Sequence, residues 1–273
     1  MRRPLFWASL ASSESSWLRV TSERCFQRQG AFHGPLSPID WICGRMTQLP
    51  FQFESGSRLL VLRLPETHET LGWSINRPGF AETREIVWLE VRDRELPIGL
   101  DPIAFLRARL SSFGLDESAV AFMTSRDIRR RHMARAEVGG VTATCVTTVG
   151  LSNGERVGAR RMEPPREWGT INTFVHLSRS LSNGAFVEAI SIATQARTVA
   201  ILEAQNRPPE ATVTGTGTDC IIVAAPRGED VERCAGLHTD IGEATGRAVY
   251  DATFEGVRTW SADIVDIRSG VSL

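Results

Sequence analysis

A loop of alternating glycine and threonine, Thr214-Gly215-Thr216-Gly217-Thr218-Asp219, runs straight into the apolar stretch Cys220-Ile221-Ile222-Val223-Ala224-Ala225. An apolar run without polar alternation reads as a strand buried on both faces, so the chain must supply a layer on each side of its sheet. Glycine in the preceding loop frees the backbone to take positive φ or to approach a ligand closely. A second polar cluster follows at Cys234-Ala235-Gly236-Leu237-His238-Thr239-Asp240-Ile241-Gly242-Glu243. There Asp240-x-x-Glu243 has the spacing of a capping box that opens a long helix. Thr216, Thr218, Asp219 and His238 are thus gathered in one short length of chain.

The remaining elements are read in order. Arg58–Leu64 and Thr70–Asn76 are β-like runs separated by the turn-sized break Pro65-Glu66-Thr67-His68, and are expected to pair as a hairpin. A third strand is expected over Glu85–Val91. Asp101 and Pro102 form an N-cap and first-turn proline for a helix over Ile103–Phe113 that ends at Gly114. Ala119–Met123 and Val141–Val149 read as strands, the second leading into Gly150-Leu151-Ser152-Asn153-Gly154. Residues 160–167 are a polar, proline-bearing loop, and Trp168–Val175 is a further strand. Residues 183–204 form an amphipathic helix with a wide apolar face and a narrow polar stripe through Glu188, Ser191, Gln195 and Thr198. A final helix spans about 240–262, with Gly242 and Gly246 four apart to allow close packing. This order predicts an α+β (mixed α/β) fold, a mixed sheet covered by helices in a single domain.

Composition narrows the function classes. With 273 residues and 42% apolar content, the chain can bury a large core. No uninterrupted apolar run approaches the roughly eighteen residues of a membrane span. A formal charge of −1 argues against generic nucleic-acid or membrane-surface binding. Every cationic chain is arginine, which removes any lysine Schiff-base chemistry. Cys25, Cys43, Cys145, Cys220 and Cys234 lack C-x-x-C spacing, so reduced thiols in a cytoplasmic protein are expected. Residues 1–45 differ in character and read as a disordered or artefactual extension. Met46 is a plausible start for a domain over 46–273.

Gly215-Thr216-Gly217-Thr218-Asp219, Ala235-Gly236-x-His238-Thr239-x-Ile241-Gly242 and Gly246-Arg247-Ala248-Val249-Tyr250 closely resemble the adenosylcobinamide amidohydrolase family of corrinoid salvage. Gly150-Leu151-Ser152-Asn153 and Trp168-Gly169-Thr170-Ile171-Asn172 resemble it too, in the same order, and the resemblance runs from Arg58 to Trp260. It implies hydrolysis of the amide that links aminopropanol to the corrin ring, giving adenosylcobyric acid. The implied partner is a corrinoid small molecule that carries its own cobalt, so no separate cofactor is expected; a homodimer is compatible with the chain. Two departures stand out. Thr194-Gln195-Ala196-Arg197 replaces the Thr-Glu-Ala-Lys of many members, and the match over Ser74–Gly79 is looser.

Amide hydrolysis needs an activated water or nucleophile, donors for the developing oxyanion and an acid for the leaving amine. His238 is the first choice for proton transfer, since imidazole titrates near neutral pH. Asp219 could activate water or orient His238, or simply bond loop amides. Asn153 and Asn172 offer side-chain amides to the substrate or to an oxyanion, Thr216 and Thr218 offer hydroxyls, and Gly217 offers backbone; each is equally at home in a turn. Glu243 either contacts substrate or completes the capping box. Positions 238 and 243 would lie about 140° apart on one helix, which disfavours a two-ligand helical metal motif, and no catalytic metal is expected. The competing readings are a non-catalytic corrinoid-binding protein and, less favoured, a phosphate-binding enzyme, because the glycine loop precedes a strand where a P-loop follows one.

Overall fold

The apolar run after the glycine loop forms the strand expected of it, β11 (Cys220–Pro226), and six of its seven side chains are buried. It lies between an antiparallel neighbour, β2 (Leu59–Gly72), and a parallel one, β8 (Ile171–Leu177). In this computed structural model, residues 49–159, 169–205, 208 and 211–269 are described. The expected extension 1–45, the start at Met46, the loop 160–167 and Trp168 lie outside them.

The main sheet has the order β4-β3-β2-β11-β8-β6-β5, with β1 added alongside β2. Here β1 is Gln52–Ser55, β3 Gly79–Glu90, β4 Val120–Thr124, β5 Arg131–Val138 and β6 Val141–Val149. Three helices, α1 (Pro102–Ser112), α2 (Asn183–Ala204) and α3 (Asp240–Ser269), complete the described α+β fold. Four strand steps separate β4 from β8, about 19 Å on a flat sheet. Yet Asn172 Nδ2 on β8 donates to the Met123 carbonyl on β4 at 2.8 Å, and the rings of Trp88 on β3 and Phe174 on β8 are 6.4 Å apart. The sheet therefore folds over on itself around an inner core that includes Leu60, Leu62, Ile86, Trp88, Phe122, Phe174 and Ile222. Outside it, α1 covers β2 to β4 through Leu106 and Leu110. On the other side α2 and α3 cover β11, β8 and β6 through Phe186, Ala189, Ala193 and Ala248.

Several local expectations change. The runs expected at 58–64 and 70–76 do not pair as a hairpin: residues 59–72 are one long strand, β2, which the second run leaves after Gly72, and the polar break is a register irregularity between Arg63 and His68. A bulge of this kind bends a strand without ending it. It also turns His68 into the core, where its Nε2 lies 3.1 Å from His176 Nε2. Residues 131–138, which carry no clear apolar alternation, are recruited as β5 by pairing with β6 through a Gly139-Gly140 turn, both glycines at positive φ.

Helix α1 follows its sequence signals, with the Asp101 side chain accepting from Ile103 N, and α2 keeps the expected 183–204 span behind its Ser182 cap. By length and composition α2 also passes as a membrane span, a property that a search for unbroken apolar runs misses. Helix α3 runs to 269, beyond the expected 262. Its cap is not Asp240: Thr239 Oγ1 accepts from Gly242 N at 3.0 Å. Glu243 instead pairs with Arg247 one turn on, so no capping box forms. Of the two spaced glycines, Gly242 packs directly against the Gly236 carbonyl, whereas Gly246 has only an ordinary contact with Ile192.

Candidate functional site

Three loops converge at one end of the sheet. Asp219 precedes β11, and β8 runs parallel beside it with Cys220 opposite Asn172. Strand β6 is antiparallel to β8, so its last residue, Val149, meets Ile171 and delivers Gly150–Asn153 to the same end. Two short strands then clip the loops together: β7 (Gly154–Glu155) pairs with β10 (Gly215–Thr216).

Asp219 organises this junction. Its Oδ1 accepts from Ile171 N at 3.0 Å and Thr216 Oγ1 at 2.5 Å. Its Oδ2 accepts from Thr216 N at 2.9 Å and pairs with Arg197 Nη1 at 3.2 Å. Burial pushes the carboxyl pKa up, opposed by Arg197 and by the Thr216 and Ile171 donors. Three hydrogen bonds and the Arg197 ion pair thus engage both of its oxygens. Of the roles open to Asp219 in the sequence, the bonding of loop amides is the one these contacts display: it anchors the glycine and threonine turn. Gly215 is required beside it, because a Cβ there would lie 2.4 Å from Asp219 Oδ2.

The other loop residues interlock. Asn153 Oδ1 accepts from Gly169 N at 3.0 Å. Thr218 Oγ1 donates to the Gly169 carbonyl, and Thr170 Oγ1 donates to the Thr218 carbonyl. Asn172, 1% exposed, spends its amide N–H on the Met123 carbonyl. Among the described residues, what remains open to a ligand is the tip: Gly217 and Thr218 are exposed, and none of those residues stands within 4 Å of where a Gly217 side chain would begin.

His238 and Glu243 are not part of this junction. The Asp240 carboxylate packs on Gly139, in the turn that starts β6, while the loops gather at the finish of β6. The eight steps between the nine residues of this strand make that roughly 27 Å at about 3.4 Å each. The expected His238–Asp219 partnership is thus absent, for a topological reason: His238 follows the far end of β11, and Asp219 precedes its near end. His238 is exposed and adjoins an open cavity of about 450 Å³ lined by Gly139, Arg179, Cys234, Thr239 and Asp240. A larger cavity of about 1110 Å³ lies along the β2 irregularity, lined by Phe51, Arg63, Thr67 and Arg84, and no motif residue reaches it.

Two residues at the junction were passed over in the sequence. Arg197 supplies the buried cation, and its signal was present, since a basic residue stands where the resemblance calls for lysine. Trp73 Nε1 donates to the Asp219 carbonyl at 2.5 Å while its ring stays 42% exposed.

Comparison with known proteins follows these features. Two relatives are the uncharacterized protein MJ1613 of Methanocaldococcus jannaschii and the adenosylcobinamide amidohydrolase of Halobacterium salinarum. The first is 36% identical over 100 residues, 36% of this chain and 39% of that protein. The second is 25% identical over 158 residues, 54% of this chain and 63% of that protein. The chain thus spans under two thirds of either relative's length. Among solved structures, the PH0078 protein of Pyrococcus horikoshii aligns with TM-score 0.40 and 12% identity over 79% of this chain and 81% of that one. The L-aminopeptidase D-Ala-esterase/amidase of Ochrobactrum anthropi aligns with TM-score 0.38 and 14% identity over 76% and 82%. The family model for adenosylcobinamide amidohydrolase matches residues 46–264, a span that includes all three converging loops and the start of α3, so this protein belongs to the adenosylcobinamide amidohydrolase family.

Proposed function

We propose that the protein hydrolyses the amide between aminopropanol and the corrin ring of adenosylcobinamide, giving adenosylcobyric acid. The C–N bond breaks, a water oxygen enters the new carboxylate, and the leaving amine takes up a proton. The observation that carries this reading is the convergence of the Gly150–Asn153, Gly169–Asn172 and Gly215–Asp219 loops, all inside the family match, on one interlocked and partly open end of the sheet. In this reading Asp219, Asn153 and Asn172 hold the loops in place, and the exposed Gly217 meets the substrate through its backbone amide, a group suited to a developing oxyanion, while the Thr218 hydroxyl, its proton spent on the Gly169 carbonyl, is left to accept from the substrate. The substrate is large and carries an adenosyl group on one face of its ring, which suits an open loop tip better than a closed slot.

The test is incubation of purified protein with adenosylcobinamide, with chromatographic detection of adenosylcobyric acid and assay of released aminopropanol. Release of both in equal amounts is expected; intact substrate after prolonged incubation would remove the assignment. His238→Ala serves as a second arm. With the scissile bond at the loop tip, turnover stays within about twofold of wild type, a change under roughly 0.5 kcal/mol. A loss of several orders of magnitude would move the reaction centre to the opposite end of the sheet.

A corrinoid-binding protein without catalysis is the second reading. It is favoured by the engagement of Asp219 in three hydrogen bonds and an ion pair, with His238 standing at the other end of the sheet. Binding of cobinamide without any release of aminopropanol would select it.

A further inference from the structure

Among the described residues, Trp73 is the large aromatic side chain offered to solvent at the loop junction, and its surroundings hold it still. Its indole N–H is spent on the Asp219 carbonyl at 2.5 Å. The next residues are tied down as well: Ser74 Oγ donates to the Ala121 carbonyl at 2.7 Å, and Asn76 Nδ2 donates to the Ala119 carbonyl at 2.8 Å. The ring is nevertheless 42% exposed. With its only polar atom satisfied by Asp219, two residues on from the open Gly217 tip, it leaves apolar ring surface exposed at the junction. A rigid aromatic face gives large contact area at little cost in side-chain entropy, which is how such residues come to dominate binding sites.

We propose that Trp73 is the platform on which the corrin ring lies by the face opposite its adenosyl group, positioning the scissile side chain against Gly217 and Thr218. This rests on the corrinoid reading above. Trp73 is the last residue before Ser74–Gly79, where this chain departs from the family pattern, so the platform also bears on which corrinoid it prefers. Trp73 is a positioning and specificity residue; the chemistry occurs at the side chain of the bound ring.

The experiment compares wild type, Trp73→Ala and Trp73→Phe in steady-state hydrolysis of adenosylcobinamide and in equilibrium dialysis with cyanocobinamide. Loss of the stacking face is expected to raise KM and the cyanocobinamide Kd about tenfold in Trp73→Ala, with kcat held within about twofold. Trp73→Phe keeps a ring but loses the N–H, and is expected to stay within about threefold of wild type. A Trp73→Ala protein with unchanged KM and Kd overturns the platform. So does a Trp73→Phe protein as impaired as Trp73→Ala with an equally lowered melting temperature, because that pattern assigns the residue to tying down the loop. Wild-type protein that neither binds cyanocobinamide nor releases aminopropanol overturns the corrinoid reading as well. Wild type that turns over normally while Trp73→Ala matches it overturns the platform alone.

Discussion

At the level of single residues, two glycines in one loop do opposite jobs, though nothing in their spacing separates them. Gly215 is a packing necessity: an added methyl group would meet the Asp219 carboxylate, which four donors prevent from moving. Gly215→Ala is expected to cost roughly 2 kcal/mol or more, read as a lower urea midpoint. Gly217 has open space beside it and no positive φ. Gly217→Ala is therefore expected to leave stability unchanged or raise it by up to about 1 kcal/mol. If a ligand packs against the tip, the same change raises KM about tenfold, on the order of 1.4 kcal/mol. Unchanged kinetics in a stable Gly217→Ala protein would take Gly217 out of the binding site. The contrast was invisible in the sequence because both positions read as loop glycine. Asp219 posed a similar ambiguity, and only counting its donors decides it. A carboxylate reached from β8, α2 and its own turn cannot be recognised as so engaged until those elements are assembled.

At the level of elements, the start of α3 shows how a correct boundary can rest on the wrong cap. Asp240 and Glu243 have capping-box spacing, yet Thr239 Oγ1 takes the Gly242 N–H and donates to the Gly236 carbonyl. Thr239→Ala is expected to cost about 1 kcal/mol, and Asp240→Ala clearly less. Thermal unfolding of the two variants checks the order, and a larger loss from Asp240→Ala would return the cap to that residue. Helices were otherwise legible, because Asp101 and Ser182 act through bonds to residues two or three positions away. Strands were less so. Strand β2 contains a proline and three polar residues that read as a turn, but pairing with β3 on both sides of the irregularity carries the strand through. Strand β5 has little apolar pattern of its own and exists because β6 folds back on it.

For the whole molecule, the folded-over sheet places three imidazoles where charge is unwelcome. Burial lowers the pKa of His68, lowers that of His132 to about 4 with help from Arg126 and Arg130, and lowers that of His176 to about 3 with help from His68. Each folded value lies below the unfolded 6.5, so below that pH the unfolded chain binds more protons and stability falls as pH falls. The loss extends from about 6.5 down through about 4 for His132 and about 3 for His176, at no more than about 1.4 kcal/mol per pH unit for each group. A lower urea midpoint at pH 5 than at pH 7.5 is the expected result, and equal midpoints would contradict buried neutral imidazoles. By itself the sequence determined the helices, the doubly buried strand at 220–225 and the family, because these depend on short-range periodicity, capping and motif order. Tertiary structure alone decided that Asp219 and the two asparagines share one end of the sheet while His238 occupies the other. The reason is that strand direction and register, which no local pattern encodes, set the end of the sheet at which each loop emerges.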